Sequence, residues 1–248
     1  MWAGENVHNA IRYSLSAIRD GGSLFSAESV IEQTLQNMRS QWRDSGEGLY
    51  WENPKKNCAL WEHEYDIELP DEEWKATVDH ALDCLRTFFT SETFQMIATL
   101  PRDAWLELED LASFELDGMK IWVQLDFAHR DNDGIAIYDW KTGRADKETT
   151  HQQLAGYILY AAQRWRVPPE QIVAREFNLA ANSIHETRIA TDEIASLKES
   201  IIIAADELKK LHGVAEENFP LAEDEAPCKS CNFLRVCPRW HDDTAESG

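Results

Sequence analysis

Asp126, Asp139 and Lys141 are the residues of this chain whose types and spacing point most directly to chemistry. They lie in LDGMKIWVQLDFAHRDNDGIAIYDWKTGR, residues Leu116 to Arg144, which reads as two strands, each with one aspartate in an otherwise apolar run. On an antiparallel hairpin both aspartates can face one side, where two ionised carboxylates repel each other. Buried aspartate is rare unless paired, so core packing alone does not account for them. A hard divalent cation does: Mg²⁺ or Mn²⁺ binds carboxylate oxygens and keeps several waters. Lys141, two residues beyond Asp139, points to the same face of the strand. Its ammonium could pair with the carboxylates, hold an attacking water, or stabilise charge growing on phosphorus. With a metal that activates water, this is machinery for hydrolysing a phosphodiester. The plainer alternative is an exposed Asp139–Lys141 pair on an edge strand, with Asp126 unrelated.

A second set is CKSCNFLRVC, which places Cys228, Cys231 and Cys237 in a C-x2-C-x5-C run. Thiolates so crowded are typical of zinc or iron–sulfur binding, and both normally take four ligands. The start, MWAGENVHNAIRYSL, lacks a basic region followed by an apolar one, so no secretory signal is expected. Five cysteines in such a chain argue for a metal or redox role rather than a disulfide framework. Cys84 falls on the apolar stripe of a helical segment and suits the core.

The elements that must position these residues follow from periodicity. Ser26, with Glu28 and Ser29 behind it, starts a helical segment within residues 1–45. Residues 46–70 are irregular and aromatic. Trp74, Val78, Leu82, Leu85 and Phe89 recur at helical spacing within 71–100, and Pro101 ends the pattern. From Trp105 the period becomes that of strands: WLELEDLASFEL and KIWVQLDFAHR alternate, GIAIYDWKT is nearly continuous, and RDNDG between the last two has turn chemistry. KETTHQQLAGYILYAAQRW is an amphipathic helix, PEQIVAREFNLA a further strand, and TDEIASLKESIIIAADELKKLHG a long helix. The expected fold is α/β, a mixed central sheet flanked by helices in one domain, 1–248. It comprises a helical part (1–100), a catalytic core (101–190), and a C-terminal helix with the cysteine segment (191–248).

IYDWKTGR resembles the last catalytic strand of the PD-(D/E)XK nuclease superfamily, and the restriction-endonuclease-like core of that family agrees with the element order. The resemblance is closest to the RecB-type branch, which includes the AddAB nucleases and CRISPR-associated RecB-like exonucleases. There an Asp-x-Lys-Thr-Gly strand follows an aspartate on its neighbour, a place that Leu125-Asp126-Phe127 fits. Gln153 and Tyr157 match the branch's Q-x-x-x-Y helix, one turn apart on one face. Gly4 and His8 match its G-x-x-x-H motif. The resemblance implies catalytic roles for Asp126, Asp139, Lys141, Gln153 and Tyr157. It implies metal ligation by His8, Asp126, Asp139 and an acidic residue on the preceding strand, Glu107 or Glu109, with Glu109 favoured. Some members of the branch also carry a four-cysteine [4Fe–4S] staple, with three cysteines in a C-terminal run and one upstream of the G-x-x-x-H helix.

This chain begins three residues before Gly4, so the upstream cysteine has no counterpart in it. The fourth ligand is then expected to be Cys58 or to belong to residues outside this sequence. Zinc, with His241 as a remote ligand, is the alternative. The expected function is a Mg²⁺- or Mn²⁺-dependent deoxyribonuclease, an exonuclease on single-stranded or unwound DNA in repair or defence. The alternative is a catalytically weak DNA-end-binding or scaffolding module. The net charge of −21 argues against a broad electrostatic grip on nucleic acid and for a narrow basic channel or a recruiting helicase or repair-complex partner. No apolar run approaches a membrane span, and a cytoplasmic location is expected.

Overall fold

The computed structural model describes residues 2–22, 26–132, 134–143, 147–215, 218, 223–224 and 226–237, without the side chains of 147–149, 191, 229 and 230. His241 and Arg144 fall outside these residues. The helices are α1 (Trp2–Arg19), α2 (Ala27–Gly46), α3 (Leu49–Glu52), α4 (Trp61–Glu64), α5 (Asp71–Thr90), α6 (Glu92–Ala98), α7 (Lys147–Trp165) and α8 (Thr191–Lys210). The strands are β1 (Trp105–Leu108), β2 (Leu111–Leu116), β3 (Met119–Gln124), β4 (Phe127–Asp131), β5 (Gly134–Lys141), β6 (Ile172–Asn178) and β7 (Ser183–Thr187). The chain divides into two compact units, Met1–Ser40 with Pro70–Asp206, and Gln41–Leu69 with Glu207–Gly248.

The first unit is built on a five-stranded sheet in the order β1-β4-β5-β6-β7. Only the β5–β6 pair is parallel, as the intervening α7 crossover requires; the other pairs are antiparallel. This is the mixed sheet flanked by helices expected from the pattern. Strand alternation sends Ala136, Tyr138 and Trp140 of β5 to one face, where they pack with Val7, Ile11 and Leu15 of α1 and Leu85 and Phe88 of α5. Ile135 and Ile137 go to the other face, under Leu154 and Ile158 of α7. Each fully buried side chain of this size contributes about 2 kcal/mol. Together they hold α1 and α7 on opposite faces of β5, whose last residues carry Asp139 and Lys141.

Two segments that alternate like single strands are broken in the structure. WLELEDLASFEL divides into β1 and β2, and KIWVQLDFAHR into β3 and β4. β1 pairs with β4 in the main sheet, whereas β2 and β3 form a separate two-stranded ribbon turned at Asp117-Gly118. The break falls at the same level on both sides, at Glu109-Asp110 and Leu125-Asp126. Glu109 takes a left-handed backbone, φ 53°, at a cost of about 1 kcal/mol. Its N–H donates to Leu125 O (2.9 Å) and Asp126 O (3.2 Å). Side-chain alternation does not register such a kink, so the sequence pattern runs through it. The helical pattern over 71–100 also breaks, at Ser91, whose hydroxyl accepts from the N–H of Phe94 and starts α6.

In the second unit the C-terminal segment is tied to α4. Arg235 lies 2.9 Å from Glu64 Oε1, and its N–H donates to the Tyr65 hydroxyl (3.2 Å). Tyr50 donates to Glu64 Oε2 (2.8 Å), and Leu60 N–H to Ser45 Oγ (2.9 Å).

Candidate active site

The site begins where the β4–β5 ladder ends. Phe127 pairs with Tyr138, and no strand continues beside Trp140 on that side. A buried peptide group needs partners, and two side chains supply them. Trp140 N–H donates to Asp126 Oδ2 (2.6 Å), and Trp140 O accepts from His8 Nε2 (3.0 Å). Because a carbonyl can only accept, Nε2 carries the proton, and Nδ1 is the ring position turned to the carboxylates. It lies 3.3 Å from both Asp126 Oδ1 and Glu109 Oε1. Burial alone would lower the pKa of His8, but the hydrogen bonds and charges of Asp126 and Glu109 outweigh it and raise it to about 10.

His8 reaches this position because α1 lies close to the end of β5. A Cβ added at Gly4, one turn before His8, would sit 3.1 Å from Thr142 Oγ1. The glycine of the G-x-x-x-H spacing therefore permits the approach and the histidine uses it. Of the two candidate glutamates, Glu109 joins His8 and Asp126. Glu107 instead accepts from the Tyr160 hydroxyl (2.8 Å). Gln124, which the sequence reading missed, donates to Glu109 Oε2 (3.1 Å). Its only signal was its parity with Asp126, two residues on.

Asp139 is 2% exposed and faces α7. Lys141 Nζ forms an ion pair with its Oδ2 at 2.7 Å. Lys141 also donates to Gln153 Oε1 (3.0 Å), and Gln153 Nε2 donates to the Tyr157 oxygen (2.6 Å) and to Asp139 Oδ1 (3.3 Å). The Tyr157 hydroxyl also donates to Asp139 Oδ1 (3.4 Å). Burial first, then the charge of Asp126, raises the Asp139 pKa to about 6, against the opposing pull of Lys141. Burial and the two aspartates likewise push the Tyr157 phenol well above its usual range, so it stays a donor.

The structure thus brings His8, Glu109, Asp126, Asp139, Lys141, Gln153 and Tyr157 to one end of the sheet. Among the described residues, the group whose possible metal-ligand atoms all lie within 4.8 Å is His8, Glu109 and Asp126. Asp139, buried and ion-paired with Lys141, stands beside that group. One imidazole nitrogen and several carboxylate oxygens suit a hard divalent cation. Cys58, Cys228, Cys231 and Cys237 are half-buried in the second unit. Cys228 lies in a short turn, Ala226–Ser230, Cys231 directly follows it, with its N–H donating to Cys228 O (3.2 Å), and Cys237 directly follows a second short turn, Leu234–Val236. Cys84 is core, 1% exposed, and burial first, with the charge of Asp83, pushes its thiol up to about 11.

A mixed sheet carrying carboxylates and a lysine at one end defines a class of metal-dependent hydrolases. The family sequence model that matches is that of the PD-(D/E)XK nuclease superfamily, over residues 2–238, and the chain belongs to that superfamily. Such nucleases typically use divalent metal ions. Seven chains of solved structures match significantly; one, described as "Crystal structure of SSO0001", is 18% identical, with 68% of this chain and 78% of that chain covered and a TM-score of 0.37. No curated protein matches. No helix among the described residues is long and apolar enough to cross a membrane.

Proposed function

We propose that this nuclease is of the RecB type and hydrolyses DNA phosphodiester bonds with Mg²⁺ or Mn²⁺, as an exonuclease on single-stranded or unwound ends. The observation that carries the reading is the convergence of buried Asp139, ion-paired with Lys141, beside the His8–Glu109–Asp126 group. His8 Nδ1, Glu109, Asp126 and Asp139 are the ligands proposed for the ion. When bound, the ion supplies a water activated for attack and positive charge opposite the transition state. Asp126 is locked to the Trp140 amide, so one oxygen is spent on the backbone and the other is left for the ion. Gln153, fixed by Tyr157, holds the Lys141 ammonium at the site. There the ammonium donates to the attacking water or to a phosphate oxygen as its charge grows. The preference for single strands is supported by the β2–β3 ribbon. Gln124, on its outer face, meets Glu109. Next along that face Trp122 is 59% exposed, with Lys120 Nζ 3.8 Å from its ring centroid, a pairing of cation and stacking surface that suits unpaired bases.

The Cys228, Cys231 and Cys237 segment is proposed to hold a [4Fe–4S] cluster, with Cys58 as fourth ligand and zinc as the alternative metal. Both segments belong to the same compact unit, joined through Tyr65 and Arg235. A helicase or repair-complex partner is proposed to deliver the strand to so acidic a chain. Cleavage of labelled single- and double-stranded DNA with Mn²⁺ tests the reading. Asp139→Asn should abolish cleavage with an unchanged circular dichroism spectrum, and full activity of that variant would reject the assignment.

A further inference from the structure

The carboxylate row does not stop at Asp139. In the parallel β5–β6 register Asp139 lies beside Glu176, and in the antiparallel β6–β7 register Glu176 lies beside His185. Side chains so paired share a face, here the face covered by α7. Glu176 is 4% exposed, and its Oε2 has no hydrogen-bond partner. Leaving a buried carboxylate oxygen unpaired is unfavourable unless something supplies a donor. Glu176 and His185 line a cleft of about 850 Å³ at the end of β5, β6 and β7. His80 lines it as well, with its Nε2 donating to Thr142 O (2.6 Å), and so do Thr142 and Gly143, which follow Lys141 directly.

We infer that this cleft is a nucleobase subsite, in which Glu176 accepts hydrogen bonds from the N–H edge of the base next to the scissile phosphate. The inference rests on the nuclease reading for its substrate, and on the cleft alone for its chemistry. Neighbouring strands lie about 4.8 Å apart, so Glu176 is one strand from the phosphate-directed Asp139, within the reach of one nucleotide. The imidazoles of His80 and His185 offer ring surfaces on which a base can stack. A carboxylate is acceptor-only when ionised. Guanine suits it best, because it sets an N–H and an amino group side by side on one edge. Thymine has a single N–H flanked by carbonyl oxygens, which a carboxylate repels. The cleft is therefore a guanine-preferring specificity site that no known catalytic role of the residues requires.

Two measurements test this and separate its failure from that of the nuclease reading. The first is calorimetric titration of the intact protein with dGMP, dIMP and dTMP, with Ca²⁺ in place of Mn²⁺. We expect dGMP to bind about tenfold more tightly than dTMP, with dIMP, which lacks the amino group, between them. Glu176→Gln should erase the dGMP advantage. His185→Ala, at an exposed position, should weaken all three without changing their order. The second is mapping of cleavage positions along a mixed-sequence single strand with Mn²⁺, where parent cuts should cluster beside guanine and those of Glu176→Gln should spread evenly. Equal binding of dGMP and dTMP by the parent, or a guanine preference that survives Glu176→Gln, would overturn the proposal. Nucleotide discrimination without any cleavage would leave the subsite standing and defeat the nuclease reading.

Discussion

The two units of this chain hold their chemical groups in different ways. In the first, dozens of buried side chains fix the sheet, and backbone register decides which carboxylate meets which. Asp139 and Lys141 are placed by strand parity, Asp126 by the amide of Trp140, and His8 by a helix packed through Val7, Ile11 and Leu15. In the second, Ser45 and Leu60 are the buried residues among those described. Cys228, Cys231 and Cys237 lie in or directly after two short turns, and their segment is tied to α4 by polar side chains such as Arg235 and Tyr65. A site built on a packed scaffold persists without its ligand. One built on turns draws its order from the ligand, because binding energy there is folding energy. Removing a ligand residue should therefore cost activity in the first unit and structure in the second.

The largest effect should come from Asp139→Asn. Removing one ligand charge and keeping the shape should lower cleavage about a thousandfold or more, with the melting temperature unchanged or raised, since a buried charge is lost. A clear fall in melting temperature would break the comparison. Next, Cys231→Ser should lose the cluster absorbance and iron of anaerobically purified protein. It should also expose the residues around Cys228–Cys237 to protease about tenfold faster, while the first unit stays resistant. If Cys58→Ser does the same, Cys58 is the fourth ligand; a colourless parent with tightly held zinc would replace the iron–sulfur assignment. Tyr157→Phe removes one hydroxyl from the Gln153–Asp139 contacts and should slow cleavage about fivefold to tenfold, with stability nearly unchanged. The smallest effect, about threefold in cleavage, is expected from Gly4→Ala. The new methyl group would push α1 from Thr142 by a few tenths of an ångström and loosen His8 on Trp140. Gly4→Val should cost more, and equal activity of the two variants would remove Gly4 from the account.

Much of the first unit could be read before its structure, because its logic is periodic. Parity placed Asp139 and Lys141 on one face, and helical spacing placed Gln153 under Tyr157. What could not be read was conformational. The kink at Glu109-Asp110 and Leu125-Asp126 leaves alternation intact, so two strands looked like one on each side, although Asp117-Gly118 is a strong hairpin signal. That kink brings Glu109 to His8. β7 was missed because SIHET is largely exposed and polar. Glu176 was missed with it, since its neighbours across the sheet depend on a parallel crossover and a strand that had not been placed. The cysteine spacing was plain, but spacing says nothing of which distant residue completes the set.

The most direct test of the central claim is Mn²⁺ binding, followed by electron paramagnetic resonance or calorimetry, to the parent and to Asp126→Asn, Asp139→Asn and His8→Ala, alongside DNA cleavage by each. Tight Mn²⁺ binding by the parent, weakened in all three variants in step with lost cleavage, is the predicted result. Cleavage by the parent that persists in excess EDTA, or Mn²⁺ affinity unchanged when Asp126 and Asp139 are replaced, would contradict it.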